Sequence, residues 1–162
     1  MAVKLLLLAQ DDASNLEVGL ALAEAWQRGG GAAAAWCWPS ARALPGALHA
    51  SEVLQMPPAP NLGAAIWSVA CRSLARGATP LLACPGAPGL APAHLRRGEE
   101  LLAHRDAVFG TTATGYAMVG LKRAVPELFA GVPWDTAEVM AATRARARRY
   151  GCRIAELALV PD

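Results

Sequence analysis

The sequence predicts a single α/β domain, and three observations carry the prediction. Val3 to Ala9 is a continuous apolar run of strand length, as in a parallel strand covered on both faces. A helical pattern follows, with Leu16, Leu20, Ala23 and Trp26 on one face, and Gly29-Gly30-Gly31 stops it before a second apolar run, Ala32 to Trp38. Strand, helix, glycine stop, strand is the rhythm of a βαβ unit.

The remaining elements follow in order. Asp12 and Ser14 are suited to cap the first helix. Pro39 ends the second strand, and an irregular Pro/Ala-rich stretch to Pro60 holds a short strand at Glu52 to Gln55. A helix runs from about Asn61 to Arg76, with Leu62, Ile66, Val69 and Leu74 inward and Gly77 as its stop. Pro80 to Cys84 reads as a buried strand, Pro85 to Pro92 as a tight loop, and Ala93 to His104 as a helix. Strands follow at Ala107 to Gly110 and Tyr116 to Leu121, then helices near Val125 to Phe129 and Thr136 to Tyr150. A last strand spans Arg153 to Leu159. No internal repeat or linker divides residues 1–162, and a chain of this length can bury roughly 70% of its unfolded surface.

Composition narrows the function classes. Hydrophobic residues make up 54% and charged ones 17%, which excludes a disordered chain. Fifteen Lys+Arg against thirteen Asp+Glu give a net +2, short of the basic excess of a nucleic-acid binder. Mean hydropathy is +0.28, yet no apolar run approaches the ~20 residues of a membrane span. The apolar start ends in Gln10-Asp11-Asp12 without a cleavage motif, so the expected location is the cytoplasm. The partners expected are a small molecule or nucleotide-sugar and a second copy of the chain, with neither nucleic acid nor membrane.

In an open α/β sheet ligands bind beyond the carboxyl ends of the strands. Gln10, Asp11 and Asp12 stand there after the first strand, Cys84 to Gly89 after the fourth, and Thr111, Thr112, Thr114 and Tyr116 further on. The Asp11-Asp12 pair has oxygens fit for a hard cation, but acidic residues also belong at helix starts, where they offset the macrodipole. Cys84 precedes a Pro-Gly turn near a helix start, which reads either as a thiol of lowered pKa or as a buried structural one. Cys37, Cys71, Cys84 and Cys152 form no CxxC pair, so neither zinc nor a disulfide framework is signalled. His49, His94 and His104 lack partners at ligand spacing. Gly29 to Gly31 lies at the wrong end of a helix for phosphate, and the prolines of Pro85 to Pro88 remove amide donors. Arg144, Arg146, Arg148 and Arg149 suit a helix C-terminus. Trp36 and Trp38 flank Cys37 and point to one face, for the core or a subunit contact; Trp134 stands in a loop before a helix that Asp135 or Thr136 can cap.

Several of these segments carry a resemblance. Asp106-Ala107-Val108-Phe109-Gly110, Gly115-Tyr116-Ala117-Met118-Val119-Gly120-Leu121 and Pro126-Glu127-Leu128-Phe129 are among them. So are Val132-Pro133-Trp134-Asp135-Thr136, Asn61-Leu62-Gly63 and Ala87-Pro88-Gly89-Leu90. Together they resemble a bacterial family of small glycosyltransferase-A-type (GT-A) proteins, conserved but uncharacterised, that includes arsenosugar-biosynthesis-type glycosyltransferases. The resemblance spans about two thirds of the chain, from Asn61 onward, and the Trp134 motif is its most specific part. It implies a GT-A fold, a three-layer α/β/α sandwich with a mostly parallel sheet, that handles a nucleotide-activated sugar with a divalent metal.

The departures bear on chemistry. Gly86 stands where the family places its metal-binding Asp, and Ala113-Thr114-Gly115 stands for the family's Asp-Gly-Gly. The basic phosphate loop is absent, since Gln10-Asp11-Asp12-Ala13 leads directly into helix. A departing diphosphate needs counter-charge as its own charge develops. The expectation is therefore a diverged GT-A-like protein that binds a small molecule or partner without a cofactor. Its ligand contacts are expected from Gln10, Asn61, Thr112, Thr114, Tyr116, Trp134 and Thr136. The alternative is an active nucleotide-sugar-dependent transferase with a rearranged site, whose metal (Mg or Mn) or base would come from Asp11, Asp12 and Asp135.

Overall fold

The computed structural model describes residues 2–8, 13–39, 44–48, 51–56, 59, 61–113, 115–133 and 136–159. Its elements run β1 (Val3–Leu8), α1 (Ala13–Arg28), β2 (Ala35–Pro39), β3 (Glu52–Met56), α2 (Leu62–Ala75) and β4 (Thr79–Ala83). They continue with α3 (Pro92–Leu102), β5 (Ala107–Thr112), β6 (Gly115–Leu121), α4 (Val139–Arg149) and β7 (Ile154–Ala158). The seven strands form one sheet in the order β3-β2-β1-β4-β6-β5-β7. Only β6 runs against the others, antiparallel to both β4 and β5. The turn between β5 and β6 is too short for a crossover, so these two strands close as a hairpin.

The alternation along each strand sorts the core into two layers. Leu6 and Leu8 join Cys37, Leu82, Phe109 and Val119 under α2 and α4. Leu5 and Leu7 join Trp36, Trp38, Leu81 and Met118 under α1 and α3. This is why the leucine run of β1 carries no polar alternation: both of its faces are covered. Trp36 and Trp38 share a face, as their spacing predicts, but they are 2% and 6% exposed and belong to the core. Neither is free for a subunit contact. Arg96 of α3 donates to the carbonyls of Trp26 (3.0 Å) and Gly29 (2.8 Å), capping α1 from its neighbour.

Three details differ from the sequence reading. The helix expected near Val125–Phe129 is a three-residue 3₁₀ turn, Pro126–Leu128. Pro126 opens it, and Gly131, at φ +65°, and Pro133 leave no room for a full α-helix. The long C-terminal helix begins at Val139 rather than Thr136, because Thr136 uses its hydroxyl to hold the preceding turn. On α2 the buried positions are Ile66, Val69, Ala70 and Ser73, while Leu74 is half-buried. Among the described residues no helix is long and apolar enough to cross a membrane.

Candidate functional site

α2 follows β3, so its first turn stands at the carboxyl edge of the parallel strands. Asn61 caps it: its backbone is extended, and its Oδ1 accepts from the Ala64 N–H at 2.8 Å. That bond leaves Nδ2 as the donor of the side chain. Gly63, Ala64 and Trp67 recur at helical spacing on one face, small residues first and the indole one turn deeper.

This face meets the segment after the 3₁₀ turn to enclose a cavity of about 290 Å³. Pro126, Phe129, Ala130 and Gly131 form its opposite wall. The rings of Trp67 and Phe129 lie 5.7 Å apart, tilted by 36°. Arg146 of α4 secures that wall by donating to the carbonyls of Ala130 and Gly131. Among the described residues, no charged side chain lines the cavity. Its volume sits at the lower edge of the range for ligand pockets, roughly 300–1,000 Å³, which is room for one ring rather than a whole nucleotide-sugar. Aromatic walls with a carboxamide at the rim suit the apolar face of a sugar or base ring.

The turn after β4 stands at the same edge. Cys84 to Gly89 is tightened by the Ala87 N–H donating to the Cys84 carbonyl at 3.1 Å, and Gly89 has φ +83°. Cys84 is buried, and burial pushes its thiol up to about 11, so the reading of a lowered pKa is corrected. The thiol is held away from water. A side chain on residue 86 would begin inside the carboxamide of Asn15, which lies against Gly86.

The remaining predicted contacts are placed unevenly. Thr112 is half-buried at the end of β5, paired with Gly115. Tyr116 is 7% exposed, its ring 4.9 Å from Phe109, and burial raises its phenol pKa. This is a core position. A bulge in β6 causes it: Gly110 pairs with Met118 but Thr111 with Tyr116, so Tyr116 and Ala117 both turn toward the α2/α4 layer. Thr136 Oγ1 donates to the Pro133 carbonyl at 2.7 Å and accepts from the Glu138 N–H at 3.3 Å. Gln10, Asp11, Asp12, Thr114, Trp134 and Asp135 lie outside the described residues. Of the predicted contacts, the cavity takes Asn61 alone from the described set, and it adds Trp67 and Phe129, which the sequence reading did not select. The signal for Trp67 was its helical spacing from Gly63 and Ala64; Phe129 had none, because only folding brings it across from α2.

A divalent metal, which the fold family implies, does not fit the described residues. The turn after β4 offers no carboxylate, Asn15 occupies the approach to residue 86, and no group of three His, Cys, Asp or Glu converges among the described residues.

Solved structures share the architecture. A protein from Desulfovibrio desulfuricans G20, provisionally assigned as a nucleotide-diphospho-sugar transferase, superposes with a TM-score of 0.75 at 18% identity. The match covers 98% of this chain and 80% of that one. CMP:2-keto-3-deoxy-manno-octonic acid synthetase, solved with CTP, gives 0.61 at 10% identity over 98% and 90% of the two chains. Rv0371c from Mycobacterium tuberculosis H37Rv gives 0.55 at 14% identity over 100% and 89%. At these identities the likeness is one of fold alone. Comparison with curated protein sequences finds no match. A family profile described as an uncharacterised protein conserved in bacteria, DUF2064, matches residues 31–136. More than half of the sequence lies within that match, and the chain belongs to the DUF2064 family.

Proposed function

We propose that the protein binds the ring of a sugar or nucleotide-sugar in the cavity between α2 and residues 126–131, without metal and without transferring the sugar. The observation that carries this reading is the turn after β4, which holds no carboxylate. Gly86 stands where the family resemblance gives a metal-binding Asp, so the turn lacks that carboxylate, and the carboxamide of Asn15 lies against it instead. A cation cannot then offset the charge that develops on a departing diphosphate there. The apolar cavity supports binding on its own, through Trp67, Phe129 and the Asn61 carboxamide.

Calorimetric titration with UDP-glucose and with CTP, each with and without Mn²⁺, tests the reading. The expected result is binding that Mn²⁺ leaves unchanged and that Trp67→Ala weakens by tenfold or more. Micromolar affinity appearing only with Mn²⁺, together with release of the free nucleotide, would overturn it in favour of a rearranged transferase site built from Asp11, Asp12 and Asp135.

A further inference from the structure

The opposite edge of the sheet concentrates positive charge around one carboxylate. Asp106 opens β5, and three turns converge on it. Its Oδ2 accepts from the Arg153 N–H at 2.8 Å, its Oδ1 pairs with Arg123 at 3.4 Å, and its carbonyl accepts from the Lys122 N–H at 2.9 Å. Asp106 thus binds the turn after α3, the turn after β6 and the turn after α4 into one corner. Those turns carry Arg105, Lys122, Arg123 and Arg153, and the last turn of α4 that leads into them carries Arg148 and Arg149, all six exposed.

The charge of this corner is not what composition suggests. Six cations against one carboxylate give it +5, while the whole chain is +2, so the rest of the molecule carries −3. Helix-dipole compensation accounts for part of the α4 arginines but not for all. Arg144 is used on Glu156 (2.6 Å) and Arg146 on the Ala130 and Gly131 carbonyls. Arg148 has no carboxylate partner among the described residues, Arg153 acts on Asp106 only through charge and its backbone N–H, and Arg149 lies over the ring of Tyr150. Tyr150 itself is 46% exposed, the one aromatic among the large exposed apolar side chains of the described residues.

We infer that this corner docks the protein on an anionic phospholipid surface. Clustered cations gain from the negative surface potential of such a membrane, and an exposed tyrosine beside them suits the headgroup level. Among the described residues the cluster is an end face made of three turns and the end of α4, with no protruding helix or ribbon to enter a nucleic-acid groove. Because it lies at the amino ends of β5 and β7, docking leaves the cavity at the carboxyl edge facing water.

Co-sedimentation with phosphatidylcholine vesicles, with and without phosphatidylglycerol, tests this. Binding is expected only with phosphatidylglycerol, and is lost near 0.5 M salt, where the Debye length is roughly 4 Å. The triple variant R148Q/R149Q/R153Q should bind on the order of 100-fold more weakly. R28Q/R76Q/R97Q has the same net charge and should bind like the parent protein, with both variants keeping the parent circular dichroism. Equal loss in the two triple variants would overturn the proposal, since net charge and not the corner would then be responsible. So would binding to a random-sequence DNA duplex tighter than to the vesicles, or no binding to either.

Discussion

The carboxamide of Asn15, in the first turn of α1, occupies the space that a side chain on Gly86 would enter. The start of α1 and the turn after β4 are therefore in contact at this point. Gly86→Asp alone should be destabilising, by about 1–3 kcal/mol for overpacking, and should not create Mn²⁺ affinity. Asn15→Ala in the same chain should recover part of the loss. Urea denaturation of the two single variants and the double variant measures the coupling, expected at about 0.5–3 kcal/mol.

The thiols should react unequally. Burial pushes Cys84 up to about 11 and Cys37 up to about 12. At pH 8 only about one Cys84 in a thousand is thiolate, before access is considered. Cys71 is half-buried on α2, and Cys152 is buried. A chromogenic disulfide reagent at pH 8 should modify Cys71 first in the native protein, and the other three only on unfolding. Rapid modification of the C71S variant would show a reactive thiol where the structure places none.

Asn61 has two separable roles, as cap and as cavity rim. Asn61→Ala should cost about 1 kcal/mol through the lost bond to Ala64. Asn61→Asp keeps the acceptor and should retain that stability, yet it replaces the Nδ2 donor with a carboxylate and should weaken ligand binding. Thermal unfolding and calorimetry on the same two variants separate the effects.

Asp106 links the fold to pH. The Arg153 backbone N–H, with Arg123 beside it, holds its carboxyl below the ordinary 3.8. A depressed pKa in the folded state means the stabilisation is complete above the unfolded value and is lost as pH falls through the folded one. Asp106→Asn should cost about 1–2 kcal/mol at pH 7 and flatten the stability profile below about pH 4. Glu156, held down by the two hydrogen bonds from Arg144, shifts in the same direction.

Much of the fold was legible because its signals are local. The apolar run of β1, the start of α2 near Asn61 and the Gly77 stop each follow from the chemistry of neighbouring residues. The site was less legible. Tyr116 reads as a polar contact after Gly110, but the bulge at Ala117 turns it into the core, and bulges come from pairing with a second strand. Phe129 reads as part of a helix, and becomes a cavity wall only because Arg146, seventeen residues on, holds the loop that follows it.

The sequence by itself determined the α/β class, the order of the elements and the absence of an Asp at residue 86, since periodicity, capping and residue identity are written along the chain. The tertiary structure alone decided that the Asn15 carboxamide lies against Gly86. It also decided that Trp67 meets Phe129 and that six cations gather about Asp106. Each of these joins residues far apart in sequence, and their distance is set by how the layers pack rather than by any local preference. A net charge of +2 describes the chain on average; only folding separates it into a corner of +5 and a remainder of −3.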